Sequence, residues 1–282
     1  PARPTRSSTV DDVASVCRSG EPVVILLGGD ACREPALRAA SRISEALGVR
    51  LFVETFPARL ERGAGLPTVE RLGYVPEQAE QQLAGARHVV VAGAKPPTTF
   101  FAYPGKRGDL VPSGAELHTL AAPGEDVTAA LEELADLVAP GAEPALAPAR
   151  RPELPTGELL VATWPDGVGA LLPEDAIVVD ETNTSGLLLA AATAGAPRHD
   201  VRSLTGGAIG QGIPVATGAA VAAKLILFGV SPLWATLAAI VAGMIAGWFT
   251  GLLHTKGNIN GLLAGILTMI ALYSINLRIM GK

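Results

Sequence analysis

The chain has 282 residues, with 22 cationic against 27 acidic side chains and a net charge of −5. That balance, without a basic run, argues against a nucleic-acid partner, and the two cysteines (Cys17 and Cys32) have no metal-ligand spacing and fit a reducing compartment better than a disulfide scaffold. The averages cover two regimes: every acid lies at or before Asp200, so the chain is net −9 through Arg202 and +4 after it, an acidic body followed by an acid-free, apolar tail that suggests membrane contact.

In chain order, residues 1–19 are polar and Pro-containing and read as a linker with a short helix over Asp12–Ser19; the segment lacks the apolar core of a signal peptide. Pro22–Asp30 is an apolar run ending in Gly28-Gly29, the pattern of a parallel strand buried on both faces. Glu34–Gly48 has Leu37, Ala40, Ile43 and Leu47 at helical spacing with Gly48 as the stop. Strands are expected at Leu51–Thr55, His88–Ala92 and Glu116–Leu120, and helices at Pro76–Ala84 and Asp126–Val138. Strands alternating with helices predict a doubly wound parallel α/β sheet. Ligands in such sheets bind at the carboxyl ends of the strands, here Gly28–Asp30, Thr55–Arg59 and Gly93–Pro97. Gly28-Gly29-Asp30 is not GxGxxG, so a plain strand-to-helix turn is preferred there, with a nucleotide site as the alternative. Phe100–Gly108, FFAYPGKRG, reads as a Pro-fixed surface loop with two cations.

Gly141–Gly157 is Pro/Ala-rich and reads as a linker. In Glu158–Leu172 the sequence Trp164-Pro165-Asp166-Gly167 predicts a broken helix, because proline removes a donor and clashes with the preceding turn. Ala176–Asp180 is a strand running into Glu181–Gly186, a turn rich in hydroxyls and amides that suits a phosphate, although capping turns look the same.

The wording VVILLGGDA, HVVVAGAKPPTTFFAYPGK and LHTLAAPGEDVTAALEELAD resembles the central domain of the acetolactate synthase and benzoylformate decarboxylase branch of thiamine-diphosphate enzymes over about Gly20–Pro140, and the stretch Gly206–Ala220 resembles the start of their diphosphate-binding domain. The resemblance implies thiamine diphosphate and Mg²⁺ in the intact parent, a 2-oxo acid substrate such as pyruvate, a homo-oligomer, and FAD in some members. It assigns Thr182, Asn183, Thr184 and Gly207 to the diphosphate and Ile209 to the apolar support beneath the thiazolium. The family's metal motif, GDG followed by Asn, has no counterpart after Ala222, and Mg²⁺ takes oxygen ligands, usually carboxylates. The glutamate that activates the cofactor belongs to a domain preceding the central one. No catalytic residue and no metal ligand is therefore expected in this chain, which by itself is predicted inactive.

Beyond Ala222 the pattern changes. Pro232–Leu253 is free of charge for 22 residues, long enough for a ~30 Å hydrocarbon core, and Ile259–Leu277 gives 19 more. Ile209–Val230, interrupted by Lys224, is a weaker third segment. Gly243, Gly247 and Gly251 recur on one helical face, as do Gly261 and Gly265, the spacing that lets helices approach in lipid. The tail from about Ala219 resembles part of a bacterial ABC-transporter permease of the amino-acid type. Its cations place residues 1–205 in the cytoplasm and the tail in the inner membrane. The two resemblances overlap at GAAVAA, as a natural fusion or an assembly error would produce. The organisation expected is thus a linker (1–19), a central domain (20–140), a linker (141–157), a truncated diphosphate-binding domain (158–222) and permease-like helices (223–282), with a membrane transport component carrying an α/β passenger as the alternative.

Overall fold

The computed structural model describes residues 3–5, 7–158, 160–182, 185–203 and 212–257. They fall into two compact units, Pro1–Val178 with Thr182–Ser203, and Val179–Glu181 with Leu204–Lys282.

The first unit is built on a five-stranded parallel sheet. The strands are β1 (Val23–Leu27), β2 (Arg50–Val53), β4 (Glu70–Arg71), β5 (His88–Ala92) and β6 (Glu116–Ala121), in the order β4-β2-β1-β5-β6. The apolar run VVILL becomes the central strand because both its faces are covered, and all five of its residues are buried. On one face lie three helices, α1 (Ser7–Cys17), α2 (Glu34–Leu47) and α4 (Val127–Val138), packing Val13, Leu37, Ile43, Leu131 and Leu134 against Ile25, Leu27 and Val90. On the other, α3 (Pro76–Leu83) sets Ala79 and Leu83 against Val24, Leu26 and Val91. The sheet is thus parallel and doubly wound, as the alternation of elements predicts.

Local chemistry explains the element ends. Asp126 caps α4 by accepting from Ala129 N–H at 3.1 Å. Gly48 stops α2 in the left-handed conformation. Arginines close two carboxyl termini: Arg50 donates to the carbonyls of Gln82 in the last turn of α3 and of Ala84 just past it, and Arg42 to those of Ala139 and Ala142 beyond α4.

Three segments differ from the sequence expectation. The first helix begins at Ser7 rather than Asp12, because Val10, Val13, Ala14 and Cys17 form an apolar stripe that is buried in the core. Pro165 does not break a helix but opens one: α5 (Trp164–Leu171) carries it in its first turn, where the missing N–H costs nothing. The Pro/Ala-rich segment after Gly141 has no helix or strand, yet it is anchored. Gly65 donates to Ala147 at 2.8 Å, Ala147 to Leu66 at 2.9 Å, and Arg150 to Gly195 at 2.9 Å.

A second, three-stranded sheet has the order β3-β8-β7, from β3 (Leu60–Arg62), β8 (His199–Ser203) and β7 (Ala176–Asp180), with α6 (Leu189–Thr193) between β7 and β8. β3 pairs antiparallel with β8, Leu60 opposite Val201 and Arg62 opposite His199. A strand from the loop after β2 therefore extends the sheet of the later segment.

The second unit is a helical hairpin of α7 (Gly212–Leu227) and α8 (Pro232–Thr255), turned through Gly229. Ser231-Pro232 starts α8 as expected. Small residues bring the helices together: a methyl carbon built on Gly218 would lie 3.1 Å from the Ala239 carbonyl oxygen, and one on Gly243 would lie 3.2 Å from that of Pro214. Gly251 faces open space. Lys224 places its ammonium 5.2 Å from the centre of the Phe228 ring. Pro232–Leu253 is one helix long and apolar enough to cross a membrane by length and composition. The expected span Ile259–Leu277 and the Gly261/Gly265 repeat lie outside the described residues.

Candidate functional site

The carboxyl ends of the parallel strands are where such a sheet offers a ligand crevice. Here the loops after β1 and β5 close on each other. A methyl carbon on Gly28 would lie 2.8 Å from Ala94 Cα, and one on Gly93 would lie 2.5 Å from the Gly28 carbonyl oxygen. The two loop backbones thus pack directly on each other at this end of the sheet. The amino terminus of α2 is taken as well, since the Glu34 N–H donates to Glu61 Oε2 at 2.7 Å. Glu61 thus takes the N–H group that an anion at that helix mouth would use. The Gly28–Asp30 turn is consequently a packing turn, the preferred reading of the sequence.

Glu54, just past β2, sits in this closed crevice with its Oε1 3.3 Å from Gly29 N–H. Burial raises its carboxyl above the usual glutamate range, against the pull of the Gly29 N–H and Lys95. Burial and Glu54 also push the Cys32 thiol up to about 12, and burial pushes Cys17 to about 11, so neither is a nucleophile at neutral pH. A raised folded-state value means that Glu54 favours the fold while protonated and that this contribution is lost as pH rises through that value. Glu54→Gln keeps a carbonyl for Gly29. It is expected to melt level with the parent at about pH 4 and above it from neutral pH upward, the gap opening with pH in a series of thermal melts.

Beyond the crevice, the loops after β2, β4 and β5 assemble an aromatic ledge. Phe56, Tyr74, Phe100 and Phe101 stand with ring centres 4.9–6.1 Å apart, the edge-to-face range. The two cations of this loop are neutralised where they stand, Lys106 by Glu77 and Glu80 and Arg107 by Asp109. The loop is therefore no anion trap, in keeping with the surface-loop reading.

A charged cleft of about 380 Å³ lies beside β3 and β8. Arg59 holds Asp200 at 2.7 Å and Glu61 at 3.4 Å, and Arg198 holds Glu34 at 2.6 Å. Burial raises the Glu34 carboxyl, but hydrogen bonds from Arg38 and Arg198 outweigh it and leave the group below its ordinary range. Arg62 is pulled down to about 10 by burial and by Arg71, while its Nη2 donates to Ala190. His199 is held neutral chiefly by burial, and its Nδ1–H donates to the Pro197 carbonyl at 2.8 Å. Opposite charges meet across 141 residues of sequence, which single-sequence reading could not foresee. Five of the cleft's charges, Glu34, Arg59, Glu61, Arg198 and Asp200, pair with one another, and the Arg59–Asp200 pair ties the loop before β3 to β8.

Of the residues assigned to the cofactor, only Thr182 is described. Its carbonyl accepts from Ser185 N–H at 3.0 Å and from Ser185 Oγ at 2.8 Å, closing the turn after β7, and Trp164 Nε1 donates to the Ser185 carbonyl at 3.1 Å. Asn183, Thr184, Gly207 and Ile209 lie outside the described residues. Within the second unit, the Glu181 carboxylate lies against the first residue of α7: a methyl carbon on Gly212 would be 2.6 Å from Glu181 Oε2.

No protein-family model matches the chain. Over 214 residues, 76% of this chain, it is 61% identical to "Putative acetolactate synthase large subunit IlvX" of Mycobacterium tuberculosis, and it spans 41% of that protein's length. Over 65 residues, 23% of this chain, it is 57% identical to the tyrosine transport system permease protein of Clostridioides difficile, spanning 22% of that protein. Among solved structures, the fold is like the thiamine diphosphate-dependent 4-hydroxybenzoylformate decarboxylase of Rhodococcus jostii (TM-score 0.58, 18% identity, 95% of this chain and 59% of that one). It is also like benzoylformate decarboxylase from Polynucleobacter necessarius (TM-score 0.55, 18% identity, 78% and 44%). The body thus has the fold of thiamine-diphosphate enzyme domains and a sequence similar to an acetolactate synthase large subunit, and a second segment is similar to a permease.

Proposed function

We propose that the chain is part of a thiamine-diphosphate-dependent enzyme of the acetolactate synthase type joined to a permease-like hairpin, and that as it stands it does not turn over a 2-oxo acid. The observation that carries the first half is the 61% identity over 214 residues. In this reading a central domain covers 20–140 and the beginning of a diphosphate-binding domain 158–222, with 141–157 as a linker, while α1 packs into the central domain's core instead of forming the linker expected at 1–19. The parent chemistry is decarboxylation of a 2-oxo acid and transfer of the acyl carbanion, in which the cofactor acts as electron sink and the protein orients it. A homo-oligomeric parent and, in some relatives, FAD belong to the same reading.

The residues present do not fit the metal half of that cofactor. Mg²⁺ asks for several oxygen ligands, and no acid follows Asp200. Among the described residues, the single group of three or more His, Cys, Asp or Glu donors close enough to share an ion lies at the amino ends of β5 and β6. Glu181, at the mouth of α7, would oppose a diphosphate without a cation between them. We therefore derive no catalytic step through the cofactor.

The test is the purified full chain in detergent with pyruvate, thiamine diphosphate and Mg²⁺. No CO₂ release is expected; turnover would overturn the claim of inactivity. The second reading, a transport component with residues 1–205 as a cytoplasmic passenger and 223–282 in the inner membrane, is favoured by the permease identity. Detergent-free solubility of the full chain would count against this second reading, and long sequencing reads of the source DNA across codons 215–230 decide whether the junction exists: continuous reads support a real fusion, and reads that never cross divide the chain into two truncated genes.

A further inference from the structure

At the amino end of the five-stranded sheet, opposite the closed crevice, β5 begins with His88 and β6 with Glu116. The parallel register sets Glu116 beside His88 and His118 beside Val90. Alternate residues of a strand share a face, so Glu116 and His118 stand on the same side as His88. His88 Nδ1 and His118 Nε2 are 3.0 Å apart, and Glu116 Oε2 is 3.8 Å from each. The point equidistant from these three atoms is about 2.1 Å from each, within the ~2.0–2.2 Å range of zinc–nitrogen and zinc–oxygen bonds.

We propose that His88, His118 and Glu116 form a binding site for a divalent transition metal, zinc above all, with its fourth position open to water. Two imidazoles and one carboxylate select zinc, nickel or copper over the hard cations magnesium and calcium. The site is not foreseeable from one sequence, since its two histidines are 30 residues apart and only strand pairing brings them together.

A fourth residue prepares the pair. Glu21, just before β1, holds its Oε2 2.8 Å from His88 Nε2. An ionised carboxylate only accepts, so Nε2 carries the hydrogen and Nδ1 is left with a lone pair, the tautomer that a metal requires. Without metal, that lone pair accepts from His118 Nε2–H. With metal, the His118 hydrogen sits on its other ring nitrogen and Nε2 becomes a ligand, so no proton is gained or lost in the exchange. His88 is mostly buried while the Glu116 side chain is 73% exposed, which leaves an entry path from solvent. The proposal stands independently of the enzyme reading above.

The experiment uses the full chain in detergent micelles, stripped with chelator and titrated calorimetrically with Zn²⁺, then with Co²⁺ as a visible reporter of coordination. One metal per chain is expected, with a rise in melting temperature. His118→Gln, whose site is near the surface, should weaken Zn²⁺ roughly 100-fold; Glu116→Gln and Glu21→Gln should each weaken it roughly 10-fold. His199→Gln, at the second sheet, should leave it unchanged. If His118→Gln fails to fold, as its circular dichroism would report, Glu116→Gln decides. Absence of stoichiometric binding, or an affinity equal in parent and Glu116→Gln, overturns the proposal and leaves the cluster as a hydrogen-bonded strand clip.

Discussion

Gly93→Ala is expected to destabilise the first unit by about 3–4 kcal/mol, a large share of the ~5–15 kcal/mol typical of a domain. Two costs add. Gly93 has φ +68°, the left-handed region, where a side chain costs about 1–2 kcal/mol. Its new methyl carbon would also stand 2.5 Å from the Gly28 carbonyl oxygen and 3.4 Å from Val127 Cγ1. Relief requires moving a backbone that is fixed on both sides, since Gly28 N donates to Ala92 at 3.0 Å and Gly93 N to Ala121 at 2.8 Å. Forcing such a shift costs about 1–3 kcal/mol more. Gly48 supplies the control. Its φ is +69° and a methyl carbon there meets nothing within 4 Å, so Gly48→Ala carries the same conformational cost alone, about 1–2 kcal/mol. Chemical denaturation of the two variants and the parent measures the difference. Equal midpoints for the two alanine variants would mean that the crevice is looser than described and could admit a ligand after all.

That closed crevice marks the boundary of what one sequence discloses. The run VVILL and the helix Glu34–Leu47 were legible because burial on both faces, or on one stripe, writes a period into the residues themselves. The expected strand His88–Ala92, buried at all five positions, agrees with the structure to the residue for the same reason, and Ala176–Asp180 agrees through its β-branched run although none of its residues is buried. β3 was not legible: Leu60-Glu61-Arg62 is too short to carry a period, and its partner β8 lies about 140 residues away. It is a strand through its antiparallel pairing with β8, which the adjacent Arg59–Asp200 pair reinforces and which only the folded chain brings together. Pro165 misled because proline breaks a helix interior yet favours a first turn, and position within the helix is a fact of the structure. The histidine cluster was hidden by register. His88, Glu116 and His118 are ordinary strand-start residues until the β5–β6 pairing sets them side by side. For the cofactor turn, a resemblance placed Asn183, Thr184, Gly207 and Ile209, and Thr182 is the one whose surroundings are described, in a turn that Ser185 closes.

Ile240→Asp with Met244→Asp is expected to abolish stable membrane association of the chain. Both positions lie near the middle of α8, whose 24 residues span about 36 Å against a ~30 Å hydrocarbon core. Both side chains are exposed, 51% and 60%, and so are Leu237, Val241, Ile245 and Trp248. A helix in the core of a soluble protein would cover such residues, whereas only 6% of the apolar window of α8 is buried. Uncovered apolar side chains on this scale seek lipid, a further helix or aggregation. A carboxylate at the centre of a spanning helix costs about 2.5–3.5 kcal/mol, so two cost about 5–7 kcal/mol, a partition change of roughly 10⁴. The parent should remain in the membrane pellet through an alkaline carbonate wash, and the double variant should leave it. Thr255→Asp, at the end of the helix, places its charge where water reaches and should stay in the pellet with the parent. A loss that depends on depth is the signature of a bilayer, because a core helix punishes a charge according to its packing and not its distance from an interface. A parent chain recovered without detergent in the soluble fraction would remove the membrane half of the reading while leaving the enzyme-like body as it is.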